Sequence, residues 1–277
     1  MPRAGALLRP VGIGLAVTVG VAIPWSALAV LNLRLSPRVP WAIPAGIAYV
    51  FLAMAYLNGS GWPTSTAASR KRYFRAQPLS SAELAWALLA GFTAVASLWL
   101  VYAACGYLSA QPRSGAQPDW SPIVLVGAIT VGAAVTAIAE EGGLRGFMQA
   151  PLERLIGPTP AIAITSLLFV LIHLSHGLTA LARNGPFYLA AGCVYGLLAW
   201  LTQSILPSLL LHFVGDILAF ALGSSLVHLT IPRGVGAGAV LGLGALLVAC
   251  VSWAAFVRLG RLTASKRTGS SARVAAV

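Results

Sequence analysis

Apolar runs long enough to cross a lipid bilayer recur along the whole chain and constrain its fold more than any other feature. A membrane-spanning helix needs about 20 predominantly apolar residues. Eight stretches approach that length: 11–33, 40–57, 83–108, 121–144, 159–180, 186–204, 206–229 and 235–257. Because backbone polar groups inside a bilayer must bond within the chain, each run is expected to be a helix. The sequence therefore predicts an all-α polytopic transmembrane bundle of about eight spans, forming a single integral membrane domain over 1–277.

The composition agrees with a lipid-facing surface. Only 9% of the 277 residues are charged and 58% are hydrophobic, whereas soluble proteins carry about 25% charged residues. The net charge of +12 is of the sign that binds nucleic-acid phosphates. However, the basic residues lie in short loops and tails between apolar runs, where they set topology and contact anionic lipid. We therefore predict membrane lipid as a partner and no nucleic acid.

The distribution of Lys and Arg predicts the orientation. If the N-terminus is cytoplasmic, 13 of the 18 basic residues fall on the cytoplasmic side, as the positive-inside rule requires. We therefore predict a multi-pass protein of the cell (plasma) membrane with both termini cytoplasmic and the first span retained as an anchor. The stretch 60–82, rich in Ser, Thr, Pro and Arg, is predicted to be a solvated cytoplasmic connector.

Acidic residues are rare, and half of them lie inside the predicted spans. The chain has six acids, of which Glu140, Glu141 and Asp216 lie in apolar runs. An ionisable group at the centre of a membrane helix costs about 2.5–3.5 kcal/mol on insertion scales, so such groups mark functional sites. A structural ion pair is the alternative explanation.

The first polar cluster lies at the cytoplasmic end of the fourth span. Glu141 and Arg145 are four residues apart, so on an α-helix they share a face and can pair. Glu140 points about 100° away from its neighbour. We therefore expect Glu141 to be held by Arg145 and Glu140 to face a cavity, where it is suited to act as a general base.

The second and third clusters contain histidines. His173 and His176 lie three residues apart in the fifth span, with Phe169 one turn before His173. In the seventh span, His212 and Asp216 are four residues apart, so their side chains can bond and fix the imidazole tautomer.

A hairpin brings the first two clusters together. Glu140 and His173 are equally distant from the start of the breaker Gly157-Pro158-Thr159-Pro160. Residues equidistant from the turn of an antiparallel hairpin lie at the same height, so Glu140 and His173 should face each other. We predict a polar cavity between spans 4, 5 and 7 that opens to the cytoplasm.

The three motifs in this order resemble the CPBP family, which includes type II CAAX prenyl endopeptidases and bacteriocin-processing or immunity proteins. The resemblance covers about 120–220, which we take as the catalytic core. It implies an intramembrane endopeptidase that hydrolyses peptide bonds of membrane-associated proteins or peptides, including prenylated CAAX-type substrates. Glu140 would then activate water, Glu141 and Arg145 would complete that motif, and His173 would assist the water or bind metal.

The resemblance also assigns the third motif and leaves the metal open. His212 would stabilise the oxyanion, with Asp216 beside it. Glu140, His173 and His212 could form a zinc set of two histidines and one glutamate, although the sequence has no His-Glu-x-x-His motif that would require zinc.

The sequence departs from the family pattern at two places, and two other functions are compatible with the same residues. Gly142-Gly143 replaces bulkier residues and could loosen the helix at the acid, and Asp216 stands where Asn is frequent. Intramembrane acids and histidines also occur in transporters and proton relays, although the two halves of this chain show no inverted repeat. A non-catalytic immunity or binding protein would use the same pocket without hydrolysis.

Overall fold

The structure, a computed structural model, describes residues 4–36, 38–107, 120–224, 226–227 and 234–265. Ten α-helices in this part of the chain are α1 (Ala4–Leu35), α2 (Ala42–Leu57), α3 (Ala67–Phe74), α4 (Ser81–Ala104), α5 (Pro122–Glu140), α6 (Ala150–Ile156), α7 (Pro158–Ile172), α8 (Leu178–Thr202), α9 (Leu206–Gly223) and α10 (Val235–Leu262). A π-helical segment, Glu141–Gln149, joins α5 to α6, and 3₁₀ turns lie at Thr64–Thr66 and His173–His176. Every regular element described is helical, which confirms the predicted all-α bundle.

Among the residues that the structure describes, seven helices are long and apolar enough to cross a membrane. They are α1, α4, the continuous α5–π–α6 helix, α7 with its 3₁₀ turn, α8, α9 and α10. The remaining apolar helix, α2, has 16 residues and spans about 24 Å at 1.5 Å per residue, less than the roughly 30 Å hydrocarbon core. Both termini lie on one side only if α2 also crosses, so the predicted orientation depends on this short helix.

The continuous α5–π–α6 helix contains the predicted fourth span, and α7 contains the predicted fifth span. These two helices meet at a tight turn. Gly157 adopts φ +84°, a backbone conformation that glycine adopts without steric cost. Pro158 begins α7, a position where its missing N–H leaves no hydrogen bond unmade. The predicted breaker between these two spans is therefore confirmed.

The π-helical segment is the most deeply buried part of the chain, with all nine of its residues buried. The α1 helix crosses it at close range through two glycines. A Cβ added to Gly14 would lie 2.7 Å from the Gly143 carbonyl oxygen, and one added to Gly143 would lie 2.0 Å from Thr18 Oγ1. Side chains at these two positions would push the helices apart, so the glycines set the depth at which α1 packs.

The predicted solvated connector at 60–82 is mostly exposed, but part of it packs against the bundle. Its short helix α3 buries Arg70 and Phe74. The Arg70 guanidinium donates hydrogen bonds to the carbonyl oxygens of Tyr56, Ser60, Gly61 and Pro63. Phe74 lies against Gly142, where a Cβ would be 3.2 Å from its ring. The sequence did not predict this packed part, because the polar composition of the stretch gives no signal of the carbonyl oxygens that a buried arginine can satisfy.

The last helix, α10, packs against α4, away from the π-helical segment. Ser97 Oγ of α4 donates to the Ala245 carbonyl oxygen at 2.9 Å, and Ser252 Oγ of α10 donates to the Ala90 carbonyl oxygen at 2.9 Å. Hydrogen bonds of this kind between small polar residues and backbone hold membrane helices together. They complete the bundle without contributing to the polar centre.

Gly14→Ala should destabilise the protein because its Cβ would also meet Met148 Cβ at 2.6 Å. We expect a loss of about 1–3 kcal/mol, the usual range for overpacking, measured by denaturant unfolding in detergent micelles. The matched control is Gly12→Ala on the same helix, where nothing lies within 4 Å of the added atom. Equal stabilities of the two variants would contradict the close crossing of α1 over the π-helical segment.

Candidate active site

The centre of the site is an ion pair between Glu141 and Arg145. Arg145 Nε lies 3.7 Å from Glu141 Oε2, and both side chains are fully buried. The pairing predicted from the spacing is therefore present, although the segment is π-helical. Neither charge has access to water, so each depends on the other for compensation.

His212 of α9 bonds to the same carboxylate. Its Nδ1 lies 3.0 Å from Glu141 Oε1, and because an arginine-paired carboxylate accepts, Nδ1 donates the proton. The sequence predicted that Asp216 would fix this tautomer. Instead Asp216 Oδ2 lies 3.6 Å from Nε2, beyond hydrogen-bond distance, and Glu141 of another helix orients the ring. Spacing along one helix could not have identified this partner from a different span.

The other imidazole nitrogen faces two carboxylates. Glu140 Oε2 lies 3.9 Å from His212 Nε2, and Asp216 Oδ2 approaches the same atom from α9. The side chain of Glu140 is 14% exposed and that of Asp216 is 19% exposed, whereas that of Glu141 is 0% exposed. The two adjacent glutamates therefore differ in environment, with Glu141 fully buried in the ion pair and the side chain of Glu140 partly exposed.

Both of these carboxylates have hydrogen-bonding capacity that the described protein atoms do not satisfy. Glu140 Oε2 and Asp216 Oδ2 are buried atoms without a hydrogen-bond partner. Buried polar atoms normally find a partner in protein or ordered water. These two oxygens lie 3.9 Å and 3.6 Å from the same ring nitrogen, His212 Nε2, an arrangement that fits a water molecule or a polar substrate group.

His173 lies at the end of α7, beside this centre. Its Nδ1 lies 2.7 Å from the Phe169 carbonyl oxygen. A carbonyl oxygen only accepts, so Nδ1 carries the proton and Nε2 of the neutral ring is an acceptor. Within the described residues, no hydrogen bond or ion pair joins His173 to Glu140, and the prediction from the hairpin that these two side chains face each other stays a prediction.

Aromatic rings connect the two histidines and hold them in place. Tyr188 stacks on His173 with ring centroids 4.0 Å apart, and Tyr195 stacks on His212 at 5.1 Å. Phe169 presents its ring to both imidazoles, at 4.8 Å and 5.7 Å. Phe169 was predicted to pack against His173, but the two tyrosines of α8 were not predicted. Aromatic residues are common in membrane helices, so the sequence does not show which of them stack on the two histidines.

Two glycines allow α8 to approach the π-helical segment. Arg145 Nη2 donates to the Gly192 carbonyl oxygen at 3.1 Å, and Gln149 Nε2 donates to the Gly196 carbonyl oxygen at 2.8 Å. A Cβ on Gly192 would lie 3.3 Å from Arg145 Nη2, and one on Gly196 would lie 2.9 Å from Gln149 Oε1. Gln149 was not predicted from the sequence. A signal was present, because Arg145 and Gln149 are four residues apart, as are Gly192 and Gly196.

A zinc set of Glu140, His173 and His212 was predicted from the sequence. Within the described residues, no group of three or more His, Cys, Asp and Glu side chains could hold a metal ion in the present arrangement. The zinc set therefore stays a prediction, and no step below is assigned to a metal.

Comparisons with known proteins support the family predicted from the motifs. Residues 120–218 match the family model described as type II CAAX prenyl endopeptidase Rce1-like. This segment contains all six predicted site residues. No curated protein and no solved structure matches the chain. The match confirms the predicted resemblance and supports a membrane peptidase of the CAAX type.

Arg145→Met should destabilise the protein because it leaves the Glu141 carboxylate buried without its partner. The expected loss is about 3–5 kcal/mol, as for other broken buried ion pairs. Adding Glu141→Gln should restore part of the lost stability, since the uncompensated charge is then removed. Denaturant unfolding of the two single variants, the double variant and the parent protein measures the coupling. Strictly additive effects would show that the two groups do not interact.

Proposed function

We propose that the protein is an intramembrane endopeptidase, because residues 120–218 match the family model described as type II CAAX prenyl endopeptidase Rce1-like. We assign Glu140 as the general base that activates water. The observation that carries this assignment is the approach of Glu140 Oε2 to 3.9 Å from His212 Nε2, with the carboxylate oxygen otherwise unpartnered. A single water can bridge two groups at that separation.

In the first step, Glu140 takes a proton from this water as the water oxygen attacks the scissile carbonyl carbon. His173 supports the same water, because its Nε2 is the acceptor nitrogen when Nδ1 donates to the Phe169 carbonyl. Stacking on Tyr188 holds the imidazole in the orientation that this role requires. A positioned base contributes typically about 10²–10⁴-fold to such a reaction.

In the same step, negative charge develops on the carbonyl oxygen, and His212 is placed to stabilise it. Because Nδ1 already donates to Glu141, Nε2 can donate to the oxyanion only in the imidazolium form. The carboxylates of Glu140, Glu141 and Asp216, all within 4 Å of this ring, would balance that charge. Removing one oxyanion donor costs other hydrolases about 2.7–4 kcal/mol.

In the second step, Glu140 returns its proton to the departing amine nitrogen as the C–N bond breaks. The products are a carboxylic acid and an amine, which become a carboxylate and an ammonium group by transfer of the acid proton to the amine, and Glu140 is again ionised for the next cycle. Asp216 does not exchange protons in this scheme; it lies beside His212 Nε2 and helps to hold the water or the imidazolium.

The substrate class follows from the family and from the predicted position in the membrane. We propose a membrane-associated protein or peptide whose scissile bond reaches the site from the cytoplasmic side, with prenylated CAAX-type tails as the first candidates. A polar pocket reached within a lipid-facing bundle suits a substrate that is itself anchored in the bilayer.

Glu140→Gln should abolish cleavage and leave the fold intact, because the amide keeps the shape of the side chain but cannot take a proton from water. We expect a loss of at least about 10²-fold in the cleavage of a farnesylated CAAX peptide by purified protein in nanodiscs. The same peptide without the farnesyl group tests the substrate class, and we expect it to be cleaved more slowly.

The matched control is Glu83→Gln. Glu83 forms a capping box with Ser80 at the start of α4, and glutamine can replace glutamate in this motif. The control should cleave at the parent rate. Normal turnover by Glu140→Gln would defeat the assignment, and absence of cleavage by the parent protein would favour the transport or binding functions.

A further inference from the structure

We propose that Arg75 is a positioning residue for the proposed reaction. Arg75 joins the helix that carries Glu140 to the helix that carries His212. Only the expected effect on cleavage kinetics rests on the proposed function; the structural link between the two helices does not. Arg75 directly follows α3 and lies outside the three motifs. Its side chain binds α6, which continues the helix of Glu140, and its backbone binds the start of α9, the helix of His212.

The side chain of Arg75 reaches across to α6. Its two terminal nitrogens lie 3.2 Å and 3.1 Å from the two carboxylate oxygens of Glu153. The side chains of Arg75 and Glu153 are only 7% and 11% exposed, respectively. A two-pronged arginine–carboxylate contact of this kind fixes orientation as well as distance, and its low exposure limits screening by water.

Glu153 passes this restraint into the π-helical segment. Its Oε1 also accepts a hydrogen bond from Gln149 Nε2 at 2.8 Å. Gln149 is the last residue of that segment, and it bonds in addition to the Gly196 carbonyl oxygen of α8. Glu140 directly precedes the same segment. Arg75 is therefore connected through two side chains to the segment that begins beside Glu140.

The backbone around Arg75 holds the start of α9. The amide of Ile205 donates to the Arg75 carbonyl oxygen at 3.0 Å, and Ser204 Oγ donates to the Gln77 carbonyl oxygen at 2.7 Å. These two residues lie immediately before α9, two turns before His212. Arg75 is thus the one residue in the described part of the chain whose side chain bonds α6 while its carbonyl bonds the start of α9.

The conformation of Arg75 is consistent with a specific task. It adopts φ +58°, a left-handed conformation that is sterically unfavourable for a residue with a Cβ. Glycine would make this turn without that cost. An arginine at the position indicates that its side chain contributes something that glycine cannot, and the contact with Glu153 is that contribution.

Arg75→Gly isolates the side-chain contact, because glycine suits the backbone conformation and retains the carbonyl oxygen that binds Ile205. The matched control is Gln203→Gly. Gln203 is the other non-glycine residue with positive φ in the described chain, at +54°. It also lies just before α9, but its side chain bonds only the nearby Trp200 carbonyl oxygen. Arg75→Lys is the conservative variant, because it keeps one charge-assisted bond to Glu153.

Two measurements on the full-length protein in nanodiscs test the proposal. Hydrogen–deuterium exchange of peptides that cover 203–212 reports opening at the start of α9. Cleavage of the farnesylated peptide gives kcat and KM separately. In Arg75→Gly we expect faster exchange, and a kcat lowered roughly 10- to 100-fold by misplaced groups with KM unchanged. Arg75→Lys should recover part of both changes, and Gln203→Gly should resemble the parent protein.

Each contrary result has a distinct meaning. Unchanged exchange in Arg75→Gly, or faster exchange with an unchanged kcat, would overturn the positioning role. An equal effect of Gln203→Gly would attribute the change to the flexibility of glycine. If the parent protein does not cleave, the proposed function fails, and exchange alone still decides whether Arg75 couples the two helices.

Discussion

Burial of charge inside an apolar bundle is the constraint on which the other features of this structure depend. Glu141 and Arg145 are both fully buried, and neither can be solvated where it lies. His212 shares the Glu141 carboxylate at 3.0 Å, so the helix that carries it is bound to the same pair. An arrangement of this kind is stable only when all its members are present, because removing one leaves another charge unpaired.

The backbone around this charged centre contains small residues wherever another element must come near. Gly14 and Gly143 admit α1 on one side, and Gly192 and Gly196 admit α8 on another. On the third side Gly146 lies close to the backbone of α3, where an added Cβ would be 2.7 Å from the Tyr73 carbonyl oxygen. Close approach lets side chains of the π-helical segment bond directly to neighbouring backbone. The result is a rigid support beneath Glu140, as a positioned catalytic group requires.

Much of the fold and part of the site could be predicted from the sequence because single physical rules control them. Apolar length predicts the helices, Gly157 predicts the turn, and four-residue spacing predicts the Glu141–Arg145 pair. The remainder depends on contacts between spans that no local pattern encodes. The bond from His212 to Glu141, the stacking of Tyr195 on His212 and the docking of α3 all join residues far apart in sequence. The glycines at 142 and 143 did suggest a loosened helix, but not a π-helical segment nine residues long.

The three acids differ in environment. The Glu141 side chain is fully buried, pairs with Arg145 and bonds His212, whereas the side chains of Glu140 and Asp216 are partly exposed. Neighbouring positions in the sequence therefore separate into a supporting residue and a candidate reactive one. This separation, more than the presence of acids in a membrane, distinguishes a candidate active site from a structural ion cluster.

A structure of the protein in lipid nanodiscs by electron cryomicroscopy, at a resolution that shows ordered water, tests the central claim most directly. It should place the Glu140 carboxylate about 4 Å from His212 Nε2, in agreement with the 3.9 Å described above, with a water between them and Asp216. A Glu140 side chain directed to lipid, or separated from His212 by well over about 10 Å, beyond the reach of one water, would contradict the account.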